Sequence, residues 1–323
     1  MRCVAKALAG LLLLFSVPGC AFVFAEIDLL KRKPEPLEEH VVEGKGKAKI
    51  LLVEISRTIT ATGEEGPLGL SRKEATLDRV KAELGRASRD DDVKALVLRI
   101  DSPGGSVTAS DTIYREIRRF AEKRHVPVVA HLMDLGTSGA YYVALAADSI
   151  VAQPTTVTGS IGAVLYGLNV EGLFRKLGIE DQTVKAGEHK DIGSPLRKMT
   201  PEERAILERV LSEMRDRFVS LVHERRPAAP RNGSWADGRI LTAEQALAAG
   251  LVDRIGYLDE AIEEARKRAG VKKARVVLYR RSDEPQETVY AMAGSASSRA
   301  FPLEAGAFLT PRFLYLWLPP TGP

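Results

Sequence analysis

Gly136-Thr137-Ser138-Gly139-Ala140-Tyr141-Tyr142 is the stretch on which the reading of this chain turns. The apolar, β-branched run Val126 to Met133 precedes it and reads as a buried strand. Ala140 to Ala147, rich in Ala and Leu, follows and reads as a helix. Ser138 therefore sits where a strand feeds a helix. Gly139 carries no side chain to block a ligand that approaches the backbone. The helix start offers free N–H groups and a positive dipole end. A serine there can act as a nucleophile, with the next N–H facing an oxyanion. It can equally be a helix cap beside a packing glycine, and on this stretch alone the cap is the commoner case.

The same pattern stands upstream. Val93 to Ile100 reads as a strand and ends in Asp101-Ser102-Pro103-Gly104-Gly105-Ser106. Two glycines at a strand end let a backbone N–H turn toward a ligand. Ala109 to Lys123 follows as a helix with Ile113, Ile117 and Phe120 on one face. Strand, glycine loop, helix, strand, Ser-Gly turn, helix is a repeated unit, which predicts an α/β fold with a parallel sheet and outer helices. Lys49 to Ile55 reads as the first strand, and Ser71 to Ala87 as a helix with a capping box from Ser71 to Glu74. Asp148 to Gln153 and Ala274 to Tyr279 read as further strands. Thr156 to Gly162 is a loop of small residues, and Ile161, Val164, Leu165 and Leu168 after it are candidates to line an apolar groove. Asp181 to Ala186 reads as a strand that leads into the glycine-flanked loop Gly187 to Pro195. Thr200 with Pro201 opens a long helix running to Glu224.

The two ends differ from this body. Arg2 and Lys6 precede a short apolar core, Ala7 to Val17, as in a targeting segment. Val17-Pro18-Gly19-Cys20 resembles a lipobox, which makes residues 1–19 a lipoprotein signal and Cys20 a lipidation site. The alternative is an uncleaved anchor reaching to about residue 25. Residues 20–47, polar and carrying Pro34 and Pro36, read as a linker. Residues 281–323 read as an extension, rich in Ser, Ala and Gly, in which Phe313, Tyr315 and Trp317 alternate with leucines. That end is either an arm packed on protein or a membrane-surface contact.

Composition narrows the function. Both cysteines, Cys3 and Cys20, lie in the first twenty residues, so the rest of the chain holds no disulfide and no cysteine metal site. The five histidines show no HExxH or paired spacing, which argues against a metal enzyme. A net charge of +4 comes from basic residues interspersed with acidic ones, with no stripe for nucleic acid. A nucleophilic serine needs a base. Among the histidines only His189 lies in a glycine-flanked loop, so a histidine triad is poorly supported. A lysine serves when it is neutral, and Lys190, in the loop with Ile192, Gly193 and Pro195, is a candidate by position, with Lys185 as a rival.

Asp101-Ser-Pro-Gly-Gly105, Ser138-Gly-Ala-Tyr-Tyr142, Thr158-Gly-Ser160-Ile-Gly162, His189-Lys-Asp-Ile192 and Gly238-Arg-Ile240 together resemble the signal peptide peptidase A family, the S49 serine peptidases, in their short, single-repeat form. The resemblance covers residues 48 to 270, within a domain taken as 48–280. It implies a ClpP/crotonase-like fold of repeated ββα units and a Ser–Lys dyad. By motif, Ser138 is the nucleophile, Lys190 the general base, and Ser160 the residue that orients the lysine. Gly105 and Gly139 supply the oxyanion hole, and no cofactor is implied. It further implies apolar peptide substrates, cleaved signal peptides among them, a homo-oligomer (an octamer) with sites built across subunits, and a catalytic domain exported into the bacterial envelope and held at the membrane. An acyl-CoA enzyme of the same fold and a non-catalytic membrane scaffold are the rival readings.

Overall fold

The computed structural model describes residues 36–65, 72–281, 289–290 and 313–317. Cys20 and the proposed signal segment lie outside the described residues. So does Ser71, the expected helix cap. The described residues from Leu37 onward form one compact unit.

In chain order the elements begin with β1 (Glu38–Gly44), β2 (Ala48–Ser56), the short pair β3 (Glu64–Glu65) and β4 (Arg72–Lys73), and α1 (Thr76–Ala87). Next come β5 (Val93–Ser102), β6 (Gly104–Ser106), α2 (Val107–Arg124), β7 (Val128–Thr137) and α3 (Gly139–Ala144). They are followed by β8 (Ser149–Ala152), β9 (Val157–Gly159), β10 (Val164–Leu165), α4 (Glu171–Lys176) and α5 (Pro201–Arg225). The rest are β11 (Ile240–Thr242), α6 (Ala243–Ala248), β12 (Arg254–Ile255), α7 (Leu258–Arg268), β13 (Ala274–Arg280) and β14 (Phe313–Leu316).

The main sheet runs β1-β13-β2-β5-β7-β8-β12, parallel from β13 to β12, with β1 antiparallel at one edge. This is the α/β class expected, a parallel sheet with helices outside it. Its central strands are buried on both faces, which is why they read as unbroken apolar runs. In β2, Leu51, Val53 and Ile55 face one core cluster, and Ile50 and Leu52 the other. The first cluster packs under α1, α2, α3 and the end of α5 through Val80, Ile113, Ile117, Tyr141 and Phe218. The second packs under α7 through Leu258, Ala261, Ile262 and Ala265.

Three expectations are corrected. Residues 38–44, assigned to the linker 20–47, form the edge strand β1, because β13 offers an antiparallel partner that local sequence cannot reveal. The first helix begins at Thr76 rather than Ser71. Asp181 to Ala186 forms no strand. It is exposed throughout, with Val184 97% exposed, and among the described residues no strand pairs with it.

Beneath the second face lies a buried charge cluster. Glu54 is 2% exposed, and its Oε2 accepts from Arg99 at 2.7 Å and from Arg280. Burial pushes this carboxyl up, but Arg79, Arg280 and Arg99 together outweigh it and hold it at about 2. A group depressed in the folded state stabilises above its unfolded value and loses that contribution as pH falls toward the folded one. Glu54→Gln removes the carboxylate charge that Arg99 and Arg280 share in this buried site and should cost about 3–5 kcal/mol. Urea unfolding at neutral pH measures this. The gap between wild type and variant should narrow as the pH is lowered from 4.5 toward 2.

Candidate active site

β7 has two neighbours on one side in succession. Val129 to Leu132 pair with β8, and Leu135 to Thr137 pair with β9. The strand thus ends in a cleft between partners, and its next residue is Ser138. Ser138 takes φ 54° and ψ −119°, a conformation that side-chain-bearing residues seldom adopt. Its N–H donates to the Gly159 carbonyl at 2.8 Å, and its own carbonyl accepts the Tyr142 N–H at 2.9 Å to start α3. It holds the cap position of α3, yet its hydroxyl makes no capping bond. The simple capping role is therefore not what places a serine here.

Ser160 repeats the geometry one strand over. It follows Gly159 at the end of β9, has φ 51°, is nearly buried, and donates its N–H to the Arg239 carbonyl at 2.7 Å. Pairing of β9 with β11 sets Gly159 opposite Ile240, so the Gly238-Arg-Ile240 motif is the brace of the Ser160 turn. A Cβ on Gly159 would lie 2.8 Å from the Arg239 carbonyl oxygen. Ser138 and Ser160 are thereby adjacent through the backbone bond from Ser138 to Gly159.

The glycine loop lies on the other side of Ser138. Ile59 donates its N–H to the Gly104 carbonyl at 2.8 Å, and its own carbonyl accepts the Ser106 N–H at 2.9 Å. With these groups used, the N–H and carbonyl of Gly105 face the opposite edge. A Cβ built on Gly139 would stand 2.5 Å from Ser110 Oγ and 3.2 Å from the Gly105 nitrogen. One built on Gly104, at φ 98°, would stand 2.7 Å from the Gly139 nitrogen. Side chains at 104 or 139 are excluded by this close approach, and the amides of Gly105 and Gly139 come together just after Ser138. An oxyanion hole built from Gly105 and Gly139, as the sequence leads one to expect, needs their two N–H groups near one another.

Lys190 is placed differently. It is exposed in a turn, and within one chain no hydrogen bond joins it to Ser138, which is 1% exposed. The turn itself is well built. Asp191 accepts from Lys185 at 2.6 Å and from Arg197 at 2.7 and 2.8 Å, and Arg197 also reaches Glu203 at the start of α5. The hydrogen bonds from Arg197 and Lys185 hold the Asp191 carboxyl well below the usual range. Lys185, the rival base, is thus engaged by Asp191 and the Glu188 carbonyl. Thr200 caps α5 with Pro201 at its first turn, as expected, and Glu203 completes a capping box with Thr200. The bracing by Arg197 is a role the sequence reading missed; an arginine flanked by acidic residues at spacings of six was its signal.

Of the expected groove residues, Val164 and Leu165 form β10 at the cleft, Ile161 is fully buried in the core, and Leu168 is 51% exposed. Among the described residues, Glu188, His189 and Glu202 could offer metal ligands close together, all near the surface.

The model of peptidase family S49 matches residues 121–272, which include Ser138, Ser160 and Lys190. A protein of Enterococcus faecium that carries the name of a signal peptide peptidase, SppA, is 34% identical over 247 residues, 76% of this chain and 71% of that one. This chain belongs to peptidase family S49. It is a serine peptidase, a hydrolase of peptide bonds, which sets aside the acyl-CoA enzyme and the inert scaffold. Protease 4 of Salmonella typhi is 35% identical over 211 residues, 64% of this chain but 33% of that one. Among solved structures, the 1510-N membrane-bound stomatin-specific protease with a substrate peptide is 20% identical, with a TM-score of 0.42 over 68% of this chain and 80% of that one. ClpP1 of Listeria monocytogenes is 17% identical, with a TM-score of 0.40 over 65% and 94%.

Gly139→Ala should disable the site through a single methyl. We expect labelling of the protein by a fluorophosphonate to slow on the order of 10²-fold or more, the usual cost of a displaced oxyanion donor. Adding Ser110→Gly, which removes the hydroxyl 2.5 Å from the new Cβ, should restore part of the rate. No change in rate for Gly139→Ala would show that the close approach is not required.

Proposed function

We propose that this peptidase works through Ser138 and Lys190, with Lys190 supplied by a neighbouring copy of the chain. The observation that carries the reading is the strained turn at Ser138, whose hydroxyl makes no capping bond and whose next residue, Gly139, packs close to Gly104 and Gly105. Lys190 as a neutral amine takes the Ser138 proton while Oγ attacks a peptide carbonyl. The oxyanion is held by the two glycine N–H groups, each worth roughly 3–4 kcal/mol of the barrier. Lys190 then protonates the leaving amine, and water releases the acyl group. Ser160, next to Ser138, orients the lysine amine.

A base from a second chain fits the surface of the segment around Lys190. Leu168, Leu173, Leu177, Ile179 and Val184 are large apolar side chains left exposed there. An apolar patch of that kind marks a surface that another protein covers. A second copy that covers it would also take water away from Lys190, which favours the neutral amine. Substrates in this reading are apolar peptides, cleaved signal peptides among them, and the assembly is a homo-oligomer, an octamer by resemblance. The enzyme is exported to the bacterial envelope and held at the membrane through lipidated Cys20.

Two measurements test this. Ser138→Ala and Lys190→Ala chains should each be inactive, and co-expressed or dissociated and remixed they should regain peptidase activity by complementation. Activity from a folded Ser138→Ala chain alone would remove the nucleophile assignment. Mixed oligomers that stay silent would place the base within the same chain or on another residue. For the membrane, mass spectrometry of detergent-extracted protein should find a mature chain beginning at acylated Cys20. An intact Met1 with unmodified Cys20 would support the uncleaved anchor instead.

A further inference from the structure

Between β5 and β6 the chain changes sheets across a single residue. Ser102 ends β5 in the main sheet, and Gly104 opens β6, which belongs to a separate sheet with β14 and β10. Pro103 stands between them. It offers no N–H and keeps Ser102 out of the helical region, so the corner is sharp. Ser102 is fully buried there.

The Ser102 hydroxyl is used twice. It donates to the Arg57 carbonyl and accepts the Gly104 N–H at 3.1 Å. Its proton meets an acceptor and its lone pair a donor, out of reach of water. Arg57 belongs to the stretch that leaves β2. It takes φ 59°, and its N–H donates to the Asp101 carbonyl at 3.2 Å. Two residues on, Ile59 donates its N–H to the Gly104 carbonyl and accepts the Ser106 N–H. The far end of the stretch is tied to the start of α1. There the Thr60 N–H donates to Thr76 Oγ1 at 3.4 Å, and the Thr76 N–H to Thr60 Oγ1 at 3.3 Å. Residues 57–60 are thus a template laid along the glycine loop, and the Ser102 hydroxyl joins template to loop.

What the template controls is the direction of one amide. In a trans peptide the C=O and the following N–H share a plane and point opposite ways. The Gly104 carbonyl points to Ile59, so the Gly105 N–H points away from it. That peptide lies between two glycines, with Gly104 at φ 98°, and turns over more readily than one between bulkier residues. Turned over, it would aim a carbonyl where the N–H now points. Ser102 holds the Gly104 nitrogen on one side of this unit. Ile59 holds the carbonyl, and Ser102 in turn steadies the template that carries Ile59 through Arg57. The fit is close: a Cβ on Gly105 would stand 2.1 Å from the Ile59 carbonyl oxygen.

We propose that Ser102 is a positioning residue for peptide-bond hydrolysis, its hydroxyl holding the Gly104–Gly105 peptide so that the Gly105 N–H faces the oxyanion. The inference rests on the reading of Ser138 as nucleophile and Gly105 as oxyanion donor, and names what keeps that donor aimed. A loop whose peptide turns over still binds substrate but stabilises the transition state less, so the loss falls on kcat. Ser102 acts on the oxyanion and not on the proton transfer, so the pH profile set by the base stays in place.

The test compares Ser102→Ala and Ser102→Thr with the wild type in the full-length chain. With a fluorogenic apolar peptide, Ser102→Ala should lower kcat by about 10- to 100-fold and leave KM within about twofold. A peptide boronate, whose tetrahedral adduct places an oxygen where the oxyanion forms, should bind more weakly by the same factor as the loss in kcat/KM. The pH at half-maximal kcat should not move. Ser102→Thr keeps the hydroxyl and should recover most of the rate. In chains that also carry Ser138→Ala, hydrogen exchange read by mass spectrometry should be faster with Ser102→Ala at residues 57–60 and 104–106. Should Ser102→Ala fail to fold by circular dichroism, Ser102→Cys takes its place, since a thiol is a weak donor and acceptor, and the same pattern is expected with smaller losses. Unchanged kcat, a loss confined to KM, or equal losses in Ser102→Ala and Ser102→Thr each overturns the proposal. Activity that survives Ser138→Ala would strike the nucleophile reading instead, and the exchange rates would still decide whether Ser102 holds the loop.

Discussion

Everything in this site depends on a change of partner along one strand. β7 pairs first with β8 and then with β9, and the sheet opens at its carboxyl end. The bond from the Ser138 N–H to the Gly159 carbonyl closes the backbone across that opening. It holds two serines, each at positive φ, at the ends of two parallel strands. Such conformations cost on the order of 1–3 kcal/mol each and persist only where the surroundings fix them. Here β11 braces the Ser160 turn, and the bond to Gly159 braces that of Ser138. A crevice outside the carboxyl ends of parallel strands is where open α/β sheets place their ligands.

The parts legible in the sequence are those whose burial is decided locally. β2, β5 and β7 are covered on both faces, so they read as apolar runs bounded by turns. The glycine loop and the Ser-Gly turn were legible because glycine and strand ends announce a special backbone. Thr200 and Pro201 announced the start of α5 in the same way. The α/β class followed from the order of these pieces.

What was not legible depends on distant or external partners. The run EEHVVEG becomes β1 only because residues 274–280 arrive beside it. Asp181 to Ala186 has strand-like composition but finds no edge, and Val184 faces solvent. A period-two pattern on such an exposed segment cannot be told from one on a core strand. The alternating aromatics after Phe313 were read as an arm or a membrane contact, and the described residues place them as a strand on the domain. No pattern in the last forty residues could say that the strand would choose the glycine loop. That choice needs a pocket whose walls, Tyr142 and Phe218, lie far apart in the chain.

The apolar side chains from Leu168 to Val184 carry a consequence for the cell's housekeeping. A chain that has folded but remains alone presents them to chaperones and degradative proteases, which act on exposed apolar and loosely held segments. Where another protein covers these side chains, covered copies would outlast uncovered ones, and the amount of this protein would then depend on how quickly chains find cover as well as on how many are made.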